Sequence, residues 1–322
     1  MKVGSPCRPI SALPERVHLA ENTRARASKN ESMTSYSPDY LRTAHSFLFV
    51  PANRPDRIAK ALGSGADVVI IDLEDAVAAE DKDAAREALA RAWKDIKTDQ
   101  RQRVLVRINA SASRWYSADA ALMATLAAES LGGVMLPKSE TVAQLDALAQ
   151  ALPAGGIVPL IESAEGLHAI GEIARAARVV RLAFGHLDFQ ADIGMSSSPD
   201  EQELLPVRLA IVLASRRANL AAPIDGVTTA IDNAERLAAD TAGGRRLGFR
   251  AKLCIHPKQV ETVNKGFCAT ADETDWARRV LEASRQQGLG AFTLDGRMID
   301  APVIQMARNL LGLTAAPGST IV

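Results

Sequence analysis

The sequence predicts an α/β chain folded as a (β/α)8 TIM barrel with a C-terminal helical lid segment, on three observations. Eight short apolar runs recur between residues 46 and 257, and each leads into a stretch with helical spacing, often rich in Ala. The runs are apolar along their length, as expected of strands buried on both faces. Alternation of strand and helix implies parallel strands with helical crossovers, and eight such units over about 220 residues match a closed barrel. An open doubly wound sheet normally has fewer strands and a Gly-rich first turn. Here the first turn reads VPANRP, without GxGxxG.

The first unit is SFLFVP (46–51) with RPDRIAKALGSG behind it, and the second is DVVIIDLEDA (67–76) with DKDAAREALARAWKDI. RVLVRIN (103–109) precedes a helix from about Tyr116 to Ser130, and GVMLPK (133–138) precedes TVAQLDALAQAL. IVPLIES (157–163) leads into EGLHAIGEIARAA, and VVRLAFG (179–185) into a long helix from about Asp200 to Asn219. The last units are PIDGV (223–227) with IDNAERLAADTAGG, and FRAKLCIHP (249–257) with KQVETVNKGFC. Ser139-Glu140-Thr141 and Ser163-Ala164-Glu165 offer helix N-caps, while Gly132-Gly133 and Gly243-Gly244 read as helix stops. The tail holds a helix from Asp272 to about Gln287, the turn-rich QGLGAFTLDGRMIDAPV, and a last helix, PVIQMARNLLGL. The expected division is a disordered extension over 1–40, the barrel over 41–268 and a lid or oligomerisation segment over 269–322.

Composition narrows the function. Apolar residues at 47% and charged residues at 24% of 322 are globular values. Lys plus Arg (38) balances Asp plus Glu (38), which argues against a basic nucleic-acid binder, and 4% aromatics are too few for base-stacking platforms. Cys7, Cys254 and Cys268 form neither a disulfide framework nor a CxxC zinc pattern. No apolar run reaches the roughly 18 residues of a membrane span, so no membrane partner is expected. Residues 1–40 lack the apolar core of a secretory signal, and Met33 is an alternative initiator. A cytoplasmic protein is expected.

Barrel enzymes place their chemistry at the C-terminal ends of the strands. Those positions here carry Asp72, Glu74 and Asp75, then Arg107 and Asn109, Lys138, Glu162, Asp188, Asp225 and His256. Burying so many charges unpaired would cost several kcal/mol each, so a mutually paired or metal-bound constellation is the economical reading. Glu162 and Asp188 come from neighbouring strands, with hard oxygen donors that suit Mg2+. The competing reading is that each caps a helix or pairs with Arg107 or Lys138. The Arg107 fork suits a substrate carboxylate, or an ion pair with Glu74 or Asp75, or both. Lys138 serves either substrate or the carboxylate cluster. His256 reads as a structural hydrogen-bonder, Cys254 as core, and Asp192 as a cap or supporting residue.

The segments SFLFVPANRPDRIAKAL, DVVIIDLEDAV, VRIN, VMLPKSE, LIESAEG, AFGHLDFQADIG, KLCIHPKQV and GAFTLDGRMIDAP occur in this order over about residues 42–312. In them the chain resembles the citrate lyase beta-subunit-like branch of the HpcH/HpaI aldolase family, acyl-CoA lyases that act on malyl-CoA, citramalyl-CoA or citryl thioesters. The resemblance implies a TIM barrel, with Mg2+ ligands at Glu162 and Asp188 and a carboxylate- and thioester-binding arginine at Arg107. It implies that Glu74 and Asp75 support metal-bound waters. The C-terminal catalytic carboxylate falls on Asp300, on a lid that closes over a neighbouring subunit's barrel. Asp295 is the weaker candidate for that role, since Asp-Gly is a turn signal. No His follows the second strand, where DLEDAV stands, which disfavours a sugar-acid aldolase. The expected activity is Mg2+-dependent carbon–carbon cleavage or formation of a 3-hydroxyacyl-CoA thioester. The expected partners are that thioester and a 2-oxo acid, with a homotrimer or hexamer as the assembly. A malate-synthase-like thioesterase, or a subunit acting on an acyl-carrier thioester within a citrate lyase complex, is the alternative.

Overall fold

A computed structural model describes residues 39–288 and 290–312. The 1–38 part of the expected extension, with its alternative start, lies outside the described residues. The described chain divides into two compact units at the step from Phe267 to Cys268.

The first unit begins with a short helix, α1 (Asp39–Thr43), then alternates strand and helix. β1 (Ser46–Pro51), α2 (Ile58–Leu62), β2 (Val68–Asp72), α3 (Lys82–Ala92) and α4 (Thr98–Arg101) come first. β3 (Val104–Arg107), α5 (Tyr116–Ala128), β4 (Gly133–Leu136), α6 (Val142–Ala151) and β5 (Gly156–Ile161) follow. Beyond them lie α7 (Ala164–His168), α8 (Ile170–Ile173), β6 (Ala183–Phe184), α9 (His186–Ile193) and α10 (Leu205–Arg217). β7 (Ile224–Asp225), α11 (Ala234–Leu247), β8 (Ala251–Cys254) and α12 (Val260–Phe267) complete it. The eight strands form a closed parallel barrel in sequence order, with β8 pairing back to β1. The predicted (β/α)8 barrel is the observed one.

Strand side chains alternate between the two faces, and this period of two places the site. Phe47, Val68, Ile70, Leu105, Val158, Leu160, Ala183, Ile224 and Leu253 pack together inside the barrel. Leu48, Val69, Ile71, Val106, Val134 and Ile161 pack outward against the helices. Continuing the inward series 68, 70 gives Asp72; 105 gives Arg107; 158, 160 gives Glu162; 183 gives Gly185. The polar residues therefore occupy the last inward layer above an apolar plug. At the opposite end Leu41 and Ala44 of the entry segment join the inner core. Buried Arg181 holds them there by donating to the carbonyls of Leu41 (3.1 Å) and Ala44 (2.7 Å).

Two predicted caps are present. Thr141 forms a reciprocal capping box with Gln144, and the Ser163 hydroxyl accepts from the Gly166 amide at 3.2 Å. The glycine stops are different. Gly243 and Gly244 lie inside α11, which ends at Gly248 with φ 111. Gly244 is needed for space: a Cβ there would come within 2.9 Å of Asp225 Oδ2. Gly132 and Gly133 are likewise close-approach residues at the start of β4, since a Cβ on Gly132 would meet the Val104 carbonyl at 2.8 Å. The helix expected over about 200–219 is α10, and a shorter helix that was not expected, α9, precedes it.

The second unit contains α13 (Ala271–Gln287), a two-stranded antiparallel hairpin of β9 (Phe292–Leu294) and β10 (Arg297–Ile299), and α14 (Ala301–Leu310). Ala277, Val280, Ile299, Ile304 and Ala307 form its own small core. The turn-rich stretch is thus an ordered hairpin, with Asp295 at φ 50 in its turn. Among the described residues no helix is long and apolar enough to cross a membrane.

Candidate active site

A cavity of about 840 Å3 opens at the C-terminal end of the barrel. Asp72, Asp75, Arg107, Glu162, His186 and Asp188 line it. The β-register explains the first contact. Asp72 is paired with Arg107 across β2 and β3, so both side chains rise from one row of the barrel.

Arg107 is the hub. Its Nε and Nη2 donate to Asp72 at 2.8 and 2.6 Å, a two-pronged match of guanidinium and carboxylate. Its Nη1 donates to Asp75 at 3.1 Å and lies 3.1 Å from Glu74 Oε2. The guanidinium also sits 4.8 Å from the centre of the Phe49 ring. Burial alone would lower the Arg107 pKa, but the carboxylates of Asp72, Glu74 and Asp75 raise it, so the cation is fixed. Asp72 is itself held, accepting from the amides of Glu74 (2.9 Å) and Ala76 (3.1 Å).

Glu162 is buried just past the end of β5, two strands along from β3 and within reach of the Arg107 charge. Its Oε1 accepts from the Lys138 amide at 2.8 Å. Lys138 adopts φ 46, an uncommon conformation for a residue with a Cβ, and this same backbone presents the amide. The Lys138 side chain is exposed, so Lys138 meets Glu162 through its backbone, with its charge lying near enough to act on Glu74. Gly185 packs directly on Glu162: a Cβ there would lie 2.5 Å from Glu162 Oε2. Asp188 stands in the first turn of α9, exposed to the cavity.

The carboxylates raise one another. Burial pushes the Glu162 pKa up to about 8, aided by the charges of Glu74 and Asp188 and opposed by the Lys138 amide. Burial pushes Glu74 up to about 7, opposed by Arg107, with Asp75 and Asp72 adding to the rise. Glu74 Oε2 is buried without a hydrogen-bond partner among the described residues. This surplus of hard, negatively charged oxygen fits a hard divalent cation. Among the described residues no cluster of three or more His, Cys, Asp or Glu side chains is arranged to hold a metal. A cation at Glu162 and Asp188 would therefore complete its shell with water and substrate oxygens, as Mg2+ commonly does.

Other strand-end residues are tied elsewhere. Asn109 donates to buried Asp119 (2.7 Å), which also accepts from Arg86. Asp225 accepts from Arg208 at 3.0 Å and from the Gly226 amide. His256 caps the turn after β8, accepting from the Lys258 amide at 3.2 Å. Asp192 accepts from the Ala164 amide (2.8 Å) at the start of α7. Asp300 belongs to the second unit, where it is the N-cap of α14 and accepts from the Val303 amide at 3.2 Å. Asp295 pairs with Arg279. Sequence reasoning singled out neither Gly185 nor His186 as part of the mouth. His186 lines the cavity while being almost fully buried, 3.6 Å from Glu201, and burial lowers its pKa. The spacing to Glu162 that requires a glycine at 185 exists only in three dimensions.

Residues 45–257 match the family model described as HpcH/HpaI aldolase/citrate lyase. A citrate lyase subunit beta-like protein of Deinococcus radiodurans is 38% identical over 276 residues, covering 83% of this chain and 95% of its own. A (3S)-malyl-CoA thioesterase of Cereibacter sphaeroides is 31% identical over 279 residues, covering 85% and 96%. Among solved structures, CitE of Mycobacterium tuberculosis in complex with magnesium, acetoacetate and coenzyme A aligns with TM-score 0.73 at 36% identity, covering 84% of this chain and 98% of that one. The family model and the citrate lyase beta-like relatives agree with a lyase, and the Cereibacter sphaeroides relative is a thioesterase. The chain belongs to the HpcH/HpaI aldolase/citrate lyase family.

Proposed function

We propose that this chain is a Mg2+-dependent carbon–carbon lyase that cleaves or forms a 3-hydroxyacyl-CoA thioester such as malyl-, citramalyl- or citryl-CoA. The carrying observation is one cavity lined by both an orientated, permanently charged Arg107 and the buried Glu162 carboxylate. Magnesium, acetoacetate and coenzyme A bound together in the M. tuberculosis relative support the substrate class.

Glu162 and Asp188 would hold the metal, with Glu74 and Asp75 accepting from its waters. Bound Mg2+ supplies a Lewis acid that polarises a carbonyl or hydroxyl oxygen. Arg107, already clamped by Asp72, binds the 2-oxo-acid carboxylate and offsets charge on the developing thioester enolate. Lys138 adds positive potential at the rim. In the cleavage direction the hydroxyl gives its proton to water as its C–O becomes the oxo-acid carbonyl, and the carbon–carbon electron pair passes to the thioester α-carbon, which takes up a proton. Asp300 moves that proton. A neighbouring subunit's C-terminal segment delivers it, in a cytoplasmic trimer or hexamer. The cavity volume is ample for a small oxo acid with the thioester end of a longer ligand.

The test is a panel of malyl-, citramalyl- and citryl-CoA assayed for release of the oxo acid with Mg2+ present. Cleavage of none of them would refute the proposal. The thioesterase among its relatives favours a second reading, condensation followed by hydrolysis. Acetyl-CoA plus glyoxylate then yields free malate instead of malyl-CoA. Activity seen only with an acyl-carrier-protein thioester would instead identify a citrate lyase subunit. Asp300→Ala is expected to abolish turnover while sparing Mg2+ and oxo-acid binding.

A further inference from the structure

Lys82 is a buried cation that the proposed reaction leaves unused. It opens α3, is only 7% exposed and does not line the cavity. No carboxylate of the described residues lies within ion-pair distance of its ammonium. Instead Nζ donates to the carbonyls of Leu73 and Glu74, both at 2.9 Å, and lies 5.2 Å from the centre of the Trp115 ring. Water or a neutral amide could satisfy two carbonyls without the desolvation that a buried ammonium costs. Both carbonyls belong to the turn after β2, which carries Glu74 and Asp75. The peptide between Leu73 and Glu74 is held at both ends. Its carbonyl accepts from Lys82, and its N–H, pointing the opposite way, donates to Asp72 at 2.9 Å. The Glu74 carbonyl is shared between Lys82 and the Val77 amide (3.0 Å). Asp72 thus fixes the turn from the cavity side and Lys82 from behind. On the cavity side three carboxylates, Asp72, Glu74 and Asp75, face Arg107. A second cation behind the same turn offsets part of their mutual repulsion.

We propose that Lys82 is a positioning residue for the site: by holding the backbone of Leu73 and Glu74, it sets where the Glu74 and Asp75 carboxylates stand against Arg107 and the waters of bound Mg2+. It touches neither substrate nor metal. It acts chiefly through Glu74, whose Oε2 lies 3.1 Å from Arg107 Nη1 but has no hydrogen-bond partner among the described residues. The backbone of the turn, more than any side-chain bond, therefore keeps that oxygen in place. Arg107 is clamped separately, since its Nε and Nη2 donate to Asp72. Loss of Lys82 should leave the guanidinium, and its hold on the oxo-acid carboxylate, largely intact. Turnover and metal binding should suffer while substrate binding does not. The inference rests on the proposed reaction for its rate readout, and Mg2+ binding tests it without that reaction.

The test compares the full wild-type chain with Lys82→Met, which keeps the apolar stem and removes the charge and the donors. Calorimetric titration should show the Mg2+ Kd raised about tenfold or more, the usual effect of removing an outer support of a metal site. On whichever thioester the wild type cleaves, kcat should fall roughly 10- to 100-fold, with KM changed by less than about threefold. A purely structural role predicts a lower urea midpoint with Mg2+ affinity and kcat unchanged in the folded protein. Glu74→Gln should cost much less in the Lys82→Met background than in the wild type, because both changes act through one carboxylate. Lys82→Gln, which keeps a donor for one of the two carbonyls, serves in the same cycle should Lys82→Met fail to fold. Equal Mg2+ affinity in wild type and variant would overturn the inference, as would additive losses in the cycle or a KM that rises in step with the fall in kcat. A wild type that binds Mg2+ but cleaves no thioester of the panel would sink the proposed reaction, and the comparison of Mg2+ affinities would still decide the role of Lys82.

Discussion

Replacing Gly185 by Ala isolates the contact on which the placement of Glu162 depends. The backbone at Gly185 has φ −93, which any L residue can adopt, so the substitution acts through space and not through strain. The added carbon would stand 2.5 Å from Glu162 Oε2 and 2.7 Å from Glu162 Cβ. Carbon contacts settle near 3.5–4.0 Å, so relief requires roughly 1 Å of movement. Leu160 Cγ at 3.3 Å closes the alternative direction, and Glu162 is the side chain that must yield. Overpacking of this kind costs about 1–3 kcal/mol, offset by about 0.4–1 kcal/mol from a stiffer unfolded chain. The expected net loss is about 1–2 kcal/mol in urea denaturation. The functional loss should be larger, since a 1 Å error in a positioning group costs on the order of 100-fold in rate. Calorimetric titration should show weakened Mg2+ binding alongside the slower turnover. Wild-type stability with wild-type Mg2+ affinity and rate would refute the reasoning from the packing contact to the metal.

Asp72→Ala should destabilise by about 3 kcal/mol, at the low end for breaking a buried ion pair, because Asp75 and Glu74 still face Arg107. Denaturation measures that cost, and a raised KM for the oxo acid reads the loosened guanidinium. Removing divalent ions with a chelator should stop cleavage, and Mg2+ at about 100 times its Kd should restore activity and add about 2.7 kcal/mol of stability. Burial pushes the Cys254 thiol up to about 12 from its ordinary 9.0, so the native protein should resist iodoacetamide at pH 8. As pH rises above 9 the unfolded chain loses this proton before the folded one does, so stability falls with pH. Cys254→Ala should remove that part of the slope in denaturation series between pH 9 and 11.

The barrel is legible in the sequence because both of its signals are local. Continuous apolar runs mark strands covered on both faces, and the helical spacing between them marks the crossovers. The failures are equally physical. Gly243 and Gly244 look like a helix stop because glycine frees the backbone, yet Gly244 serves the Asp225 carboxylate on a strand more than fifteen residues away in the chain. The DGRMID stretch reads as turns because each strand of its hairpin is only three residues long. Lys138 draws attention by its charge, whereas its hydrogen bond to Glu162 runs through its amide. No side-chain pattern signals that.

Strand-end polar residues fall into two groups, and the inward period of the strands separates them. Asp72, Arg107 and Glu162 each stand two positions beyond an inward apolar residue, so they share the last layer of the barrel interior. Asn109, two positions beyond Arg107, has left that layer and turns to Asp119. Asp225 follows inward Ile224 by a single position, so it points outward to Arg208 instead of the cavity. The type of residue at a strand end is thus a weaker guide than its parity. Parity also explains how a chain with balanced charge builds a polarised mouth. The outward carboxylates meet cations in the helix layer, Asp225 facing Arg208 and Lys252 and Asp119 facing Arg86. The inward ones share Arg107, and the surplus negative charge left near Glu162 is the local imbalance that a divalent cation would offset.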